Sequence, residues 1–293
     1  MEFRMIDLHL HLLPGIDDGS QTMDETRAML KSYSTMGFTR LIATPHLMEP
    51  LTPDYYRQAL QLLVQVRPIA GEYGIQVDLG FEHLLESDTA ARLTGGEPTT
   101  LASSRAVLVE LPFMGWPQHT GTALFNLRSA GYRPVLAHPE RYIDAQKNPD
   151  LVLDAALQGA VIQITTGSLA GLYGKEPARL AHTLLRDSID RGLPVLFATD
   201  AHSNGNRLTS VPGGLEWVER NIPLGALVNE WASQAVPEAV LTDQIPPAFA
   251  TWLAEQDPSR LAEVRQRSGN GQAPDSGARP LGKVFSRLTR SRS

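Results

Sequence analysis

The sequence predicts an α/β barrel, on three observations. Seven short apolar runs alternate with stretches of helical periodicity, several of the runs are almost continuously hydrophobic, and most end in histidines or acids. Such alternation implies parallel strands joined by right-handed crossovers. Continuous hydrophobicity implies strands covered on both faces. In barrels of this type, functional groups gather at the carboxyl ends of the strands. An open doubly wound sheet is the alternative, although no glycine-rich phosphate fingerprint follows the first run.

The expected strands are Met5–His11, Arg40–Ala43, Ile75–Leu79, Ala106–Leu111, Pro134–Ala137, Val161–Thr165 and Pro194–Ala198. Helical spacing occupies Met23–Tyr33, Tyr55–Tyr73 and Ala178–Arg191, the last with Leu180, Leu184, Leu185 and Ile189 on one face. Further helices are expected around Leu215–Arg220 and Leu224–Ala235. The folded barrel domain is expected to span 1–267. From Ser268 the composition turns to Gly, Ser, Pro and Arg, so 268–293 reads as a basic, disordered tail. Within it Val284, Phe285 and Leu288 would share a helical face, which makes contact with an anionic membrane or a kinase the alternative to a solvated tail.

A chain of 293 residues can bury a large core without covalent help. The absence of cysteine excludes disulfides, zinc-thiolate fingers, iron–sulfur clusters and a cysteine nucleophile. A formal charge of −6 disfavours a general nucleic-acid binder, since phosphate backbones attract basic faces. The amino terminus lacks a basic segment followed by an apolar run, and no stretch approaches the roughly 20 apolar residues of a membrane span. A soluble, cytoplasmic protein is expected.

The chemistry lies at the strand ends. In Asp7-Leu8-His9-Leu10-His11, strand alternation sends Asp7, His9 and His11 to one side. Later runs close on Thr44-Pro45-His46, Phe81-Glu82-His83, Glu110-Leu111-Pro112, His138-Pro139-Glu140-Arg141-Tyr142 and Asp200-Ala201-His202. Core histidines would not concentrate at the mouth of one core in this way, so metal binding is expected. Imidazole and carboxylate donors without thiolate suit manganese, iron or zinc. With Asp18, Glu82, Glu110 and Asp200 as ligating carboxylates, three divalent ions would keep a surplus of about two positive charges, which favours a phosphate dianion. A bound ion lowers the pKa of water from about 16 toward about 7, making hydroxide available at neutral pH. Arg141 and Arg207 are candidates for the phosphoryl oxygens, because guanidinium pairs well with phosphate.

Other polar residues are assigned duller roles. His83 should face away from the site, and His119 and His182 should lie on helices toward solvent. Asp7 should orient a histidine, and Glu140 should cap a loop. Phe113, Trp116 and Tyr142 could line an aromatic pocket but are expected to pack in the core.

These residues resemble the polymerase-and-histidinol-phosphatase superfamily and, within it, the manganese-dependent protein tyrosine phosphatases encoded with bacterial capsule and exopolysaccharide genes. The resemblance rests on Met5–His11 with Leu13-Pro14-Gly15-Ile16-Asp17-Asp18-Gly19, on Ile42-Ala43-Thr44-Pro45-His46, on His138–Tyr142 and on Asp200-Ala201-His202, in order from about Met5 to Ile245. It implies a distorted seven-stranded barrel with a trinuclear site. The implied ligands are His9, His11, Asp18, His46, Glu82, Glu110, His138, Asp200 and His202. Asp18 matches the family's ligand and Asp17 its neighbour, although spacing alone does not separate the two. Gln163-Ile164-Thr165-Thr166-Gly167-Ser168 departs from the family, which usually has Asn-Ala before Gly-Ser. The implied activity is hydrolysis of phosphotyrosine by metal-activated hydroxide, and the implied partner is a tyrosine autokinase regulating polysaccharide assembly. Alternatives are a small-molecule phosphoesterase like histidinol phosphatase, or a metal-holding module without catalysis. An amidohydrolase fits less well, because Glu110 stands where that group commonly needs a bridging lysine.

Overall fold

The computed structural model describes residues 4–47, 51–96 and 98–256. The expected tail 268–293, with its apolar Val284, Phe285 and Leu288, lies outside the described residues. All seven expected strands form, and an eighth appears between the third and fourth. In order they are β1 (Met5–Leu10), β2 (Phe38–Ala43), β3 (Gln76–Leu79), β4 (Glu82–Leu84), β5 (Ala106–Glu110), β6 (Arg133–Leu136), β7 (Val161–Thr165) and β8 (Val195–Ala198).

The extra strand corrects the sequence reading, which treated Gly80–His83 as the tail of the third strand. A Cβ on Gly80 would fall 2.7 Å from the Leu101 side chain and 3.2 Å from Ile42, so a larger residue would have to push these packed neighbours aside. There the chain leaves one sheet for another. Strands β1, β2 and β3 form a three-stranded sheet, and β4 to β8 a five-stranded one, with every pairing parallel. Among the described residues no ladder joins the sheets. Single parallel bridges do so instead, Leu10 to Ala201 on one side and His46 to Glu82 on the other. The first bridge lies between His9, His11, Asp200 and His202, and the second joins two predicted site residues, His46 beyond β2 and Glu82 at the start of β4.

Helices cover the sheets for reasons legible in their ends. Thr22 caps Met23–Thr35 by accepting from the Glu25 N–H, and Thr52 does the same for Tyr55 in Pro53–Glu72, where Pro53 occupies a first-turn position lacking a partner anyway. Lys175–Arg191 buries Leu180, Ala181, Leu184, Leu185 and Ser188, one helical stripe, and ends at Gly192 with φ 69°. The expected helix over Leu224–Ala235 becomes Gly225–Glu230 followed by a π turn at Trp231–Ala235, where the Trp231 indole donates to the Pro247 carbonyl. No helix among the described residues is long and apolar enough to cross a membrane.

Two apolar clusters result. The larger is built on β5 to β8 and their helices, and the smaller on β2, β3 and the helices Met23–Thr35 and Pro53–Glu72. Strand β1 serves both, sending Ile6 and Leu8 to the first and Met5 and Leu10 to the second. Burial at roughly 25 cal/mol per Å² of apolar surface makes this shared strand costly to displace. It thereby fixes His9 and His11 relative to both sheets.

Candidate metal centre

Each predicted donor reaches the centre from a strand end or the loop beyond it. His9 and His11 leave the end of β1, His46 follows β2, Glu82 opens β4, Glu110 closes β5, His138 follows β6, and Asp200 and His202 follow β8. Two of these turns are strained. His138 has φ 33° and Asp200 φ 51°, left-handed values that residues with a Cβ seldom adopt. Asp200 is held so by donating its N–H to the His9 carbonyl at 2.9 Å, and His138 by donating its N–H to Gln163 Oε1 at 3.1 Å.

All nine predicted donors come together in four overlapping groups, within each of which the ligand atoms lie within 4.8 Å of one another. They are His11, Asp18, His46 and His202; His9, Glu82 and His138; His9, His11 and Asp200; and His46, Glu82 and Glu110. His9, His11, His46 and Glu82 each belong to two groups, as residues between neighbouring ions would. Neighbouring rings pack closely, with His11 and His202 centroids 3.9 Å apart.

The donor chemistry fits divalent cations. His9 Nδ1 lies 2.9 Å from Gln163 Oε1, so that nitrogen carries the proton and Nε2 bears the lone pair. That Nε2 has no hydrogen-bond partner yet sits 3.2 Å from Glu82 Oε2 and 3.4 Å from Asp200 Oδ1. His11 repeats the pattern, with Nδ1 on Asp17 Oδ2 at 2.7 Å and an unpartnered Nε2 near Glu82 and Asp200 at 3.4 and 3.5 Å. Lone pairs aimed at carboxylate oxygens in a buried site repel unless a proton or a metal cation lies between them. In the absence of an ion, burial would push His9 down, but the Glu82 and Asp200 charges raise it to about 9, and His11 also rises despite burial because the Asp17, Asp200 and Glu82 carboxylates favour its charged form. The imidazoles in turn hold Glu82 and Asp200 well below the usual carboxylate range, against the burial that would raise them. Glu110 behaves oppositely: burial and the nearby Glu82 push it up to about 7.

The structure separates the adjacent acids. Gly19 lies against His11, where an added Cβ would come within 2.3 Å of the His11 carbonyl, so the loop folds back tightly. This sends Asp17 to the His11 ring, while exposed Asp18 places Oδ1 3.3 Å from His202 Nε2 and 3.4 Å from His46 Nε2. Asp17 Oδ2 also accepts the His46 N–H at 3.1 Å.

Several lesser expectations need revision. Asp7 does not orient an imidazole. It accepts from the backbone N–H groups of His9 and Thr199 and from the hydroxyls of Tyr33 and Thr199, so it pins the backbone. Orienting the His9 ring falls to Gln163, whose buried amide in an apolar strand was the available signal. His182 is not turned to solvent. It stacks on Trp217 with centroids 3.5 Å apart, and His119 precedes its helix Thr120–Ser129. Phe113 is 41% exposed beside His138, whereas Tyr142 is buried with Trp116 against its edge. His83, as expected, is buried near the Thr99 carbonyl, away from the donors, whereas Glu140 does not cap its own loop but accepts from Thr165 N–H and Ser168 Oγ at the end of β7 and in the turn beyond it.

Arg141 and Arg207 both reach the centre. Each directs Nη1 to Asp200 Oδ2, at 2.5 and 2.8 Å, opposite the Oδ1 that faces the histidines.

Fold and centre together define a parallel α/β protein with a histidine–carboxylate site of the metallohydrolase kind. Residues 5–228 match the family described as "Capsular polysaccharide synthesis, CpsB/CapC", and the chain belongs to that family. It is 32% identical over 202 residues to the tyrosine-protein phosphatase YwqE of Bacillus subtilis, covering 68% of this chain and 78% of the relative. It is 29% identical to the putative tyrosine-protein phosphatase CapC of Staphylococcus aureus, covering 69% of this chain and 79% of that protein. Among solved structures, one reported with YwqE from Bacillus subtilis and CpsB from Streptococcus pneumoniae, described as unique metal-dependent tyrosine phosphatases, superposes with TM-score 0.70. That match has 30% identity and covers 83% of this chain and 98% of the other. The expected class, a metal-dependent phosphatase, agrees with these relatives.

Proposed function

We propose that the chain is a metal-dependent protein tyrosine phosphatase. The observation that carries this reading is convergence: donors from loops far apart in the chain meet in one cavity, with two arginines at its edge. Family membership and the named relatives support phosphotyrosine as the substrate. The proposed ligands are His9, His11, Asp18, His46, Glu82, Glu110, His138, Asp200 and His202. Divalent ions held there, three in number and manganese before iron or zinc, would supply hydroxide at neutral pH. The two sheets abut at both seams on the side of the site, which supports a distorted barrel.

The chain's own groups have separable tasks. Gln163 and Asp17 keep the protons of His9 and His11 on Nδ1 and leave Nε2 available. Arg141 and Arg207 bind phosphoryl oxygens. Each has five N–H donors, so donors remain after the contact with Asp200. The phenolic leaving group has a pKa near 10 and needs little help from a general acid. The protein substrate is a tyrosine autokinase of polysaccharide assembly, met in the cytoplasm.

Steady-state kinetics of the manganese-loaded protein on a phosphotyrosine peptide and on histidinol phosphate test the reading. Higher kcat/KM on the peptide, lost on chelation and restored by manganese, is expected. Preference for histidinol phosphate would refute the substrate class, and metal binding without hydrolysis of either would refute catalysis.

A further inference from the structure

Arg141 is bracketed by two aromatic rings. Its guanidinium carbon lies 4.8 Å from the Phe113 ring centroid and 4.6 Å from that of Tyr173. The three side chains stand beyond β5, β6 and β7, strands that are neighbours in that order. The stack therefore crosses three adjacent loops in sheet order. Aromatic rings attract a guanidinium through its faces, while its N–H donors lie in the edge plane. A bracketed guanidinium is thus fixed in direction without losing donors to the bracket.

The two rings differ. Tyr173 is half-buried, its edge packs by Gly167, and its hydroxyl is buried with no hydrogen-bond partner among the described residues. Arg207 also stands near it, 5.9 Å from the ring centroid. The surroundings of Tyr173 are those of a wall. Phe113 instead stacks on His138, with centroids 5.6 Å apart and an interplanar angle of 23°, yet stays 41% exposed. It is an open aromatic surface touching both a proposed ligand and a proposed phosphate-binding arginine.

We propose that Phe113 and Tyr173 hold Arg141 toward the phosphoryl group, and that the exposed part of Phe113 receives the aryl ring of the substrate, selecting aryl over alkyl phosphate esters. This deepens the phosphatase reading and rests on it. Phe113 is the specificity residue, and Tyr173 is a positioning residue acting through Arg141.

The test is calorimetric binding of phenylphosphonate and methylphosphonate to the manganese-loaded full chain, with circular dichroism confirming that each variant is folded. Phe113→Leu keeps apolar volume but removes the ring. It should reduce the preference for phenylphosphonate over methylphosphonate by about three- to tenfold, the range of an aromatic pair. Tyr173→Leu should weaken both ligands by a similar factor, whereas Tyr173→Phe, which keeps the ring, should bind both within about twofold of the parent chain. An unchanged preference in Phe113→Leu would overturn the aryl contact. Equal losses in Tyr173→Phe and Tyr173→Leu would overturn the bracket, since the hydroxyl and not the ring would then matter. Hydrolysis of 4-nitrophenyl phosphate by the parent chain separates the two levels. If hydrolysis occurs and the ring variants are silent, only this inference falls; if no metal supports hydrolysis, the phosphatase reading falls with it.

Discussion

Two buried polar clusters, at Asp7 and at His9 and His11, lie along β1 and just past its end, and they are built on opposite principles. Around Asp7 every partner is supplied: two backbone N–H groups and the hydroxyls of Tyr33 and Thr199 donate to its two oxygens. Around His9 and His11 the ring nitrogens facing the cavity have no hydrogen-bond partners, and the nearest groups are carboxylate oxygens. A satisfied network contributes to stability, whereas an unsatisfied one of such donors is organised for something the chain does not itself contain. The difference teaches how to divide the polar residues near the centre: those like Asp7 hold the fold, and those like Asp200 serve the chemistry.

Breaking the second cluster should have the largest effect. His46→Ala or Asp200→Ala should lower kcat on a phosphotyrosine peptide by about a thousandfold or more, with the far-ultraviolet circular dichroism of a folded chain. Full activity in either variant would remove that residue from the machinery. Breaking the first cluster should show in stability instead. Asp7→Ala leaves the His9 and Thr199 N–H groups and one of the two hydroxyls without an acceptor, the other hydroxyl being able to donate within the Tyr33–Thr199 pair, and should cost about 3 kcal/mol or more in urea denaturation of the metal-free protein. A loss under about 1 kcal/mol would erase the contrast between the clusters.

Asp17 sharpens the comparison because it belongs to both. It is satisfied by the Gly19 and His46 N–H groups and also sets the His11 ring. Asp17→Asn should weaken manganese binding about 10- to 100-fold in a chelator competition, as loss of a ligand's orienting partner does. Unchanged affinity would mean that His11 needs no such support.

Protons give the smallest and most specific effect. With no ion bound, His9 stays protonated up to about pH 9, so manganese added at pH 7.5 should release protons, and less of them as pH passes 9. The same raised pKa contributes stability to the metal-free protein that is full below about 6.5 and fades as pH rises to about 9. The melting temperature of chelator-treated protein should therefore fall across that interval; a rise would contradict the assignment.

How much of this was legible in the sequence depends on how local each signal is. The seven strands could be read because runs such as Val107-Leu108-Val109 are apolar on both faces, and most of the donors because they stand at or just beyond the end of such a run; Asp18 was assigned only through the resemblance to the family. The eighth strand was hidden. Nothing local distinguishes Gly80 as a bend from Gly80 as a switch between sheets, since that depends on Leu101 and Ile42 packing against it. Asp17 and Asp18 were inseparable by spacing because Gly19, pressed on His11, decides which of them turns inward. Gln163 was visible as an amide in an apolar run and as a departure from the family, but its contacts to His9 and to His138, 25 residues away in sequence, emerge only when β6 and β7 lie side by side. Tyr173 carried no signal at all, since its meaning is the arginine placed against it by a neighbouring loop.

The most direct test of the central claim is a crystal structure of manganese-loaded protein with anomalous data collected at the metal edge. Anomalous peaks about 2.0–2.3 Å from His9 Nε2 and His11 Nε2, shared with Glu82 and Asp200, are predicted. Those two nitrogens bonded only to water or protein, with manganese absent or held elsewhere, would contradict it.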